Sequence, residues 1–138
     1  MRKWRGFADN GQGSVFTLLP EDDAATANWG SDWRMPTKEE WQELYNNTTH
    51  TWTTQNGVNG RLFTAANGSS LFLPAAGYRG GSSLFLAGSY GGCWSSSLYT
   101  GNPYYAWSFY FDSDRYNMGY ADRYYGLSVR AVRSARQN

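Results

Sequence analysis

The sequence contains one cysteine, Cys93, and one histidine, His50. A single cysteine cannot form an internal disulfide, and the two residues together fall short of the three or four converging ligands of a zinc site. The net charge is only +1, so nothing indicates a surface for nucleic acid or membranes. No apolar run approaches the length of a membrane span. We therefore expect no metal, no cofactor, no nucleic-acid partner and no membrane insertion.

Lysine and glutamate are missing from most of the chain, because every Lys and Glu lies at or before Glu43. The basic start, residues 1–13, lacks the apolar core of a signal peptide, so we expect any export signal to lie outside this chain. The length fits a single domain, residues 1–138, with much of its core built from aromatic side chains. Helix signals fill the first half, and strand and turn signals fill the second. This order predicts an α+β fold.

Two short helices are predicted, over residues 21–28 and 37–47. The first follows a proline and a run of acids and ends before a glycine, which is the usual order of helix signals. In the second, Thr37 and Glu40 have the spacing of a capping box. Its apolar positions have helical spacing and predict a buried face made of Trp41, Leu44 and Tyr45.

Antiparallel strands are predicted after about residue 60. The segments "RLFTAA" and "SSLFLPAAG" flank the turn dipeptide Asn67-Gly68 and read as a hairpin. "YAWSFYF" alternates, which places Trp107, Phe109 and Phe111 on one face of a strand. "GLSVRAVR" alternates as well, and its position predicts a last strand that closes the domain against one nearer the N-terminus.

Four motifs in this order resemble those of a bacterial C-type-lectin-like domain: "WGSDWRMPTKEEWQEL", "LFLPAAGYRG", "CWSSS" and "GLSVRAVR". The resemblance is to the branch that includes the Fibrobacter-type major paralogous domain and relatives of the formylglycine-generating enzyme. It implies a C-type-lectin-like fold of two helices and twisted antiparallel sheets, with the termini close together. It also implies the C-terminal domain of a longer protein on a bacterial surface, outside the cell or on a phage particle.

The C-terminal half resembles the variable proteins of diversity-generating retroelements more narrowly. Nine of the eleven tyrosines lie between Tyr90 and Tyr125, among Ser, Asn, Asp and Gly, without Lys, Glu or Gln. Changes at the adenines of AAC codons produce this set of residues, although Met118 lies outside it and must have another origin. Two interpretations stay open: a diversified segment, or an ordinary paralogue whose Tyr-rich loop is its own binding surface.

The Tyr-rich stretch also resembles a binding surface in its chemistry. Tyrosine brings a large amphipathic contact area with little rotamer entropy to lose, and Ser, Gly and Asn add adaptable hydrogen bonds, as in antibody binding loops. We expect some of these tyrosines to pack against the sheet and the others to form an exposed cluster. The predicted ligand-binding residues are Cys93, Tyr99, Asn102, Tyr104, Tyr105, Tyr110, Asp114, Arg115, Tyr116, Asn117, Tyr120, Asp122 and Tyr124.

Cys93 precedes Trp94, which we expect to be a core anchor. Strand alternation puts the two side chains on opposite faces, so we predict that Cys93 is partly exposed and has no catalytic role. The alternative is a small buried thiol, which is common for free cysteine.

Enzyme functions have little support in the sequence. The formylglycine-generating relatives rely on a cysteine pair, and neither a GxSxG nor an HExxH motif is present. The acids of "DSD", Asp112 to Asp114, lack the companion triplets of calcium-dependent sugar-binding lectins. We therefore predict a non-catalytic domain, expected to be a monomer, that binds a protein or a glycan. A structural or assembly module and an unrecognised enzyme are the alternatives.

Overall fold

A computed structural model describes residues 17–133 of the chain. The described part is α+β with short helices and mostly antiparallel strands, which is compatible with a lectin-like fold. The helices are α1 (Ala24–Trp29) and α2 (Lys38–Asn47). The strands are β1 (Trp33–Arg34), β2 (Thr49–Gln55), β3 (Val58–Thr64), β4 (Ser70–Pro74), β5 (Tyr78–Gly80), β6 (Ser83–Phe85), β7 (Gly91–Leu98), β8 (Tyr105–Phe111), β9 (Tyr116–Asp122) and β10 (Val132–Arg133).

The first predicted helix is shorter than expected. A 3-10 turn, Pro20–Asp22, precedes α1, and the side chain of Asp23 caps the helix by accepting from the N–H groups of Ala25 and Thr26. The same carboxylate accepts from the Met35 N–H at 3.0 Å, so it also ties α1 to the segment before α2. Asp23 is buried, and these three donors satisfy it there.

The second helix, α2, agrees with its prediction. The capping box is present, because the Glu40 N–H donates to the Thr37 hydroxyl and the Thr37 N–H donates to the Glu40 carboxylate. Arg34 binds that carboxylate and lowers the pKa of Glu40 to about 2. Trp41 is buried as predicted, whereas Leu44 is half-buried and packs at the edge of the core.

Strands begin earlier than residue 60, because β2 precedes β3 and pairs with it along its whole length. The turn between them, Asn56-Gly57, has both residues at positive φ, 51° and 80°, which suits a two-residue hairpin. The predicted hairpin around Asn67-Gly68 is confirmed as β3 and β4, paired from Gly60 with Pro74 to Thr64 with Ser70.

A central sheet with the order β7-β8-β9 separates two cores. On one face, Phe109 and Phe111 pack with Trp41 of α2 and with Phe63 of β3. On the other face, the second core combines residues of β7 and β8 with the segment around α1 and β1: Leu18, Ala25, Met35, Trp94, Leu98 and Ala106. Alternate buried residues of β7 and β8 therefore enter different cores.

Cys93 is buried, so the prediction of partial exposure is wrong. Only 4% of the residue is accessible, and burial raises the pKa of its thiol to about 12. Alternation does place Cys93 and Trp94 in different cores, as expected. The error arose because the strand has no solvent face: every residue of β7 is buried.

The last predicted strand is broken into pieces. Gly126 exchanges two backbone hydrogen bonds with Arg79 of β5, and Ser128 lies beside β7 as a bridge to Cys93. Of this last segment, only β10 forms a ladder. It pairs with β1, which agrees with the prediction that the last strand closes the domain against a strand nearer the N-terminus. Among residues 17–133, no helix has the length and apolar content that crossing a membrane requires.

Candidate functional site

The thirteen predicted binding residues do not form one continuous patch. Seven are exposed: Tyr104, Asp114, Arg115, Tyr116, Asn117, Tyr120 and Tyr124. Five are half-buried: Tyr99, Asn102, Tyr105, Tyr110 and Asp122. Cys93 is the buried one. The strand register distributes them over both faces of the central sheet, and three groups result.

The first group, which we call the front cluster, consists of Tyr99, Tyr105, Trp107 and Tyr120. The Tyr120 ring lies 4.7 Å from the Tyr99 ring and 4.9 Å from the Tyr105 ring, measured between centroids. Tyr99 also contacts Trp107 edge-on at 5.1 Å. The cluster is open to solvent, since 54% of Tyr120 is exposed. It is a layered aromatic surface: a half-buried indole at the base and a phenol ring outermost.

The register of β8 and β9 builds this cluster. Trp107 lies directly opposite Tyr120, and Tyr105 lies opposite Asp122, so all four side chains emerge on the same face. Lys38, at the start of α2, places its ammonium 3.8 Å from the Trp107 ring centroid. This cation–π contact holds the base of the cluster against the helix.

The loop between β7 and β8 is fixed by one hydrogen bond of its own and by hydrogen bonds from Arg123, which follows β9. The Asn102 side chain accepts from the Tyr104 N–H at 2.9 Å, and the Tyr104 carbonyl accepts from the Arg123 N–H at 3.0 Å. The Arg123 guanidinium also donates to the carbonyl of Tyr105. The Tyr104 side chain is 75% exposed while its backbone is held at both ends. Such an arrangement presents a ring to solvent with little backbone freedom.

The second group surrounds the turn from β8 to β9 and consists of Asp112, Asp114, Arg115, Tyr116 and Asn117. Asp112 accepts from the N–H groups of Asp114 and Arg115 and from the Arg115 guanidinium, and these bonds, the Asp114 N–H first, lower its pKa. Tyr116 contacts the His50 ring edge-on at 4.3 Å. Asn117 accepts from the hydroxyl of Tyr45 on α2 at 3.3 Å. These contacts attach the group to the scaffold.

A buried guanidinium lies beneath this turn. Arg61 is 6% exposed and donates to the carbonyls of Asp112 and Ser113 and to Nδ1 of His50, 3.1 Å away. Because arginine can only donate, Nδ1 of His50 accepts and the imidazole is neutral. Burial, and secondly the charge of Arg61, lower the pKa of His50. No sequence motif indicated this pairing between two strands, whose hydrogen bonds to the carbonyls of Asp112 and Ser113 fix the turn.

The third group, the back cluster, lies on the opposite face of β8. Tyr110 stacks on Tyr90 at 6.4 Å, and Tyr78 contacts Tyr90, Phe85 and Tyr125 at 5.3 to 5.9 Å. Tyr124, 60% exposed, completes the group, which therefore comprises Tyr78, Phe85, Tyr90, Tyr110, Tyr124 and Tyr125. The hydrogen bond with Tyr125 is the main cause that raises the pKa of Tyr124 to about 12.

Clusters of metal ligands and concave grooves are the features that would indicate chemistry on a substrate. Within residues 17–133, no three His, Cys, Asp or Glu side chains lie close enough together to hold a metal ion. A groove of about 480 Å³ between α2 and β10 is lined mainly by apolar side chains such as Trp33, Leu44 and Leu71. The carboxylate in that groove, Glu40, is already bound to Arg34.

Comparison with known proteins gives one result. A search of the curated proteins and a search of the solved structures each found no match. The family model described as the Lcl C-terminal domain matches residues 17–133, which is most of the chain. This is a family of C-type-lectin-like domains tied to the variable proteins of diversity-generating retroelements. The chain therefore belongs to the Lcl C-terminal domain family.

Proposed function

We propose that this chain is a non-catalytic ligand-recognition domain that binds a protein or a glycan through the front cluster and the adjoining loop, including Tyr104. Membership of a lectin-like family is consistent with ligand binding. We further propose that the domain is displayed on a bacterial surface, outside the cell or on a phage particle. The lectin-like family supports the binding proposal, and the front cluster supplies the residues.

One observation carries the proposal: the rings of the front cluster contact one another and solvent, while the cores lie deeper. Tyr120 is more than half exposed, although large aromatic side chains normally contribute their area to a core. Beneath it, Trp107 is held by Lys38 and the strand register. Pre-organised aromatic rings lose little entropy on binding, which is the property that hot-spot residues share.

The Tyr-rich stretch is also the segment that retroelement diversification would alter. The exposed positions Tyr104 and Tyr120 carry a residue of the set that AAC codons produce, whereas the half-buried support beside Tyr120, Trp107, lies outside that set. We propose that diversification changes the exposed rings and leaves the support constant. The test is the neighbouring DNA: it should contain a reverse transcriptase and a near-copy of the segment encoding residues 90–130 that differs at adenines. A locus with neither would refute diversification.

The binding proposal is tested with Tyr104→Ser and Tyr120→Ser, and with Tyr124→Ser as the matched control from the back cluster. Each variant is measured for melting temperature and for binding to arrayed glycans and arrayed surface proteins. We expect stability changes of about 0.5 kcal/mol or less for these exposed positions. Losing an aromatic hot spot should weaken binding by about 30-fold, which corresponds to about 2 kcal/mol.

Three results would contradict this proposal. A large loss of melting temperature in the Tyr104 and Tyr120 variants would mean that these rings stabilise the fold. Normal stability with unchanged binding to every target that the unaltered protein recognises would place the site elsewhere. A greater effect of Tyr124→Ser than of Tyr120→Ser would move the site to the back cluster.

A further inference from the structure

The strand β6 forms an exposed apolar edge that the front cluster does not include. Three consecutive side chains are accessible to solvent: Leu84 at 50%, Phe85 at 44% and Leu86 at 56%. The strand pairs with β5 on one side, and β5 is bonded in turn to Gly126. Among residues 17–133, no strand pairs with the other side of β6.

The hydrogen bonds of β5 show which backbone groups point outward from β6. Arg79 exchanges both of its backbone hydrogen bonds with Gly126, so its N–H and C=O point away from β6. The opposite pair, Arg79 with Leu84, is therefore a non-hydrogen-bonded pair of the antiparallel ladder. In such a pair both residues direct their N–H and C=O away from each other. The N–H and C=O of Leu84 consequently point to the open edge.

β6 is short, with three residues, but this edge lacks the other features that normally block strand addition. Native edge strands are protected by charged side chains, especially Lys, by proline, by bulges or by a covering segment. The stretch from Ser82 to Leu86 contains none of these residues. Leu86 has a φ of 57°, which is unfavourable for leucine, and its carbonyl accepts from the N–H groups of Ser89 and Tyr90. The backbone thus holds a leucine at the surface at a cost in strain.

We propose that β6 pairs antiparallel with β6 of a second copy of this chain, around a two-fold axis at Leu84. Leu84 then lies opposite the other copy's Leu84, and the pair exchanges the two outward N–H to C=O hydrogen bonds. Phe85 lies opposite Ser83 on each side of the axis, so a large side chain meets a small one there. The ladder ends at these pairs, because Ser82 and Leu86 lie outside β6 and Leu86 has a φ of 57°. Two β5–β6 hairpins become one four-stranded sheet.

Charge also favours a second copy as the occupant. A like-with-like contact must be neutral or carry both signs, because identical charges would meet across the axis. The exposed members of this edge, Leu84 to Leu86, are uncharged. Arg79 lies one strand further in, so in the pair the two Arg79 side chains are separated by both β6 strands. No like charges are brought into contact.

The exposed area predicts weak association. About half of each of three side chains amounts to roughly a few hundred Å², below the roughly 800 Å² that each partner of a standard complex buries. We therefore expect a dissociation constant on the order of 0.1–1 mM for the isolated domain. Tyr78 of the β5–β6 hairpin contacts Tyr90, which stacks on Tyr110 on the back face of β8. The front cluster lies on the opposite face of β8, so pairing through β6 leaves the front cluster accessible to a ligand. A pair would present two front clusters, and bivalency strengthens binding to repeated ligands.

Sedimentation velocity of the purified chain from 10 µM to 1 mM tests the proposal directly. The weight-average mass should rise from 15.6 kDa toward twice that value with concentration. Leu84→Lys should keep the mass at 15.6 kDa, because it places two like charges at the axis. Val58→Lys, at another aliphatic position with 45% exposure, is the matched control and should associate as the unaltered chain does.

A cysteine variant tests the register. An antiparallel hydrogen-bonded pair has its Cα atoms about 5.5 Å apart, which is within the range of a disulfide. Leu84→Cys should therefore form a disulfide-linked dimer under mild oxidation much faster than Val58→Cys, while the buried Cys93 stays unreactive. Melting temperatures near that of the unaltered chain show that the variants are folded. A chain that is still monomeric at 1 mM, or equal cross-linking of Leu84→Cys and Val58→Cys, would overturn the proposal. Binding of an unrelated extended peptide to this edge would not rescue it.

Discussion

Replacing Trp41 with alanine should test how the core under α2 is held. The side chain is 2% exposed and stacks on Phe109, with ring centroids 5.1 Å apart and an interplanar angle of 21°. Removing a fully buried tryptophan costs about 3–5 kcal/mol through lost burial and the cavity that remains. One effect opposes this loss. The indole Nε1 has no hydrogen-bond partner among the described residues, so deleting it removes a desolvated donor that costs about 1–2 kcal/mol.

The expected net loss is therefore about 3 kcal/mol, which lowers the melting temperature of a domain of this size by about 10 °C. Urea unfolding followed by far-ultraviolet circular dichroism measures it. Trp41→Phe keeps a ring against Phe109 and removes the unpaired N–H, so it should cost less than about 1.5 kcal/mol. Trp29→Ala, at a position with 57% exposure, is the control and should change stability by about 0.5 kcal/mol or less.

The result that refutes this reasoning is a loss below about 1 kcal/mol for Trp41→Ala, or a loss equal to that of Trp29→Ala. Either would mean that α2 does not pack on the central sheet through this side chain. If Trp41→Phe were as harmful as Trp41→Ala, the indole N–H would be satisfied in solution, and the offset assumed above would be wrong.

Three further predictions concern single sites. Cys93 should not react with a thiol reagent until the protein unfolds, because it is buried and its thiol pKa is about 12; rapid labelling of the folded chain would contradict this. Gly91→Ala should cost about 1–3 kcal/mol in urea unfolding, since the new Cβ would lie 2.0 Å from the buried Phe111 ring; a neutral result would mean that the ring moves freely. Folding lowers the pKa of His50, so on acidification the unfolded chain binds a proton at a higher pH than the folded chain does. The free energy of unfolding should therefore fall as the pH drops below about 6.5, and His50→Gln should reduce the accompanying fall in melting temperature. Equal pH profiles for the variant and the unaltered chain would show that another group is responsible.

Local sequence signals predicted the elements whose stability is local. The capping box of Thr37 and Glu40 located α2, and the dipeptide Asn67-Gly68 located the hairpin of β3 and β4. β2 was missed because its sequence, "THTWTTQ", is polar and half-exposed, with Trp52 as its one large apolar residue. Its place in the sheet depends on pairing with β3, which is a tertiary contact that propensity does not report.

The position of the candidate site could be predicted only in part. The Tyr-rich stretch was recognised, but the sequence could not show that Tyr110 and Tyr120 lie on opposite faces of one sheet, because that depends on the pairing of β8 with β9. Tyr78 and Phe85 of the back cluster belong to the β5–β6 hairpin. No sequence pattern indicated that this hairpin contacts the Tyr-rich stretch. For Cys93, alternation gave the right face and the wrong burial, because a strand's sequence does not report whether a second layer covers it.

The double coverage of the central sheet has a consequence for how the domain fluctuates. β8 has a hydrogen-bonded strand on each side and a core on each face, so its amide protons can reach water only when both cores separate. In native-state hydrogen exchange these amides should be the slowest and should report the free energy of global unfolding. The amide of Leu84, at the open edge of β6, should exchange through small local openings. The front cluster therefore rests on the slowest strand through Tyr105 and Trp107, whereas the open edge of β6 belongs to the fast part of the molecule.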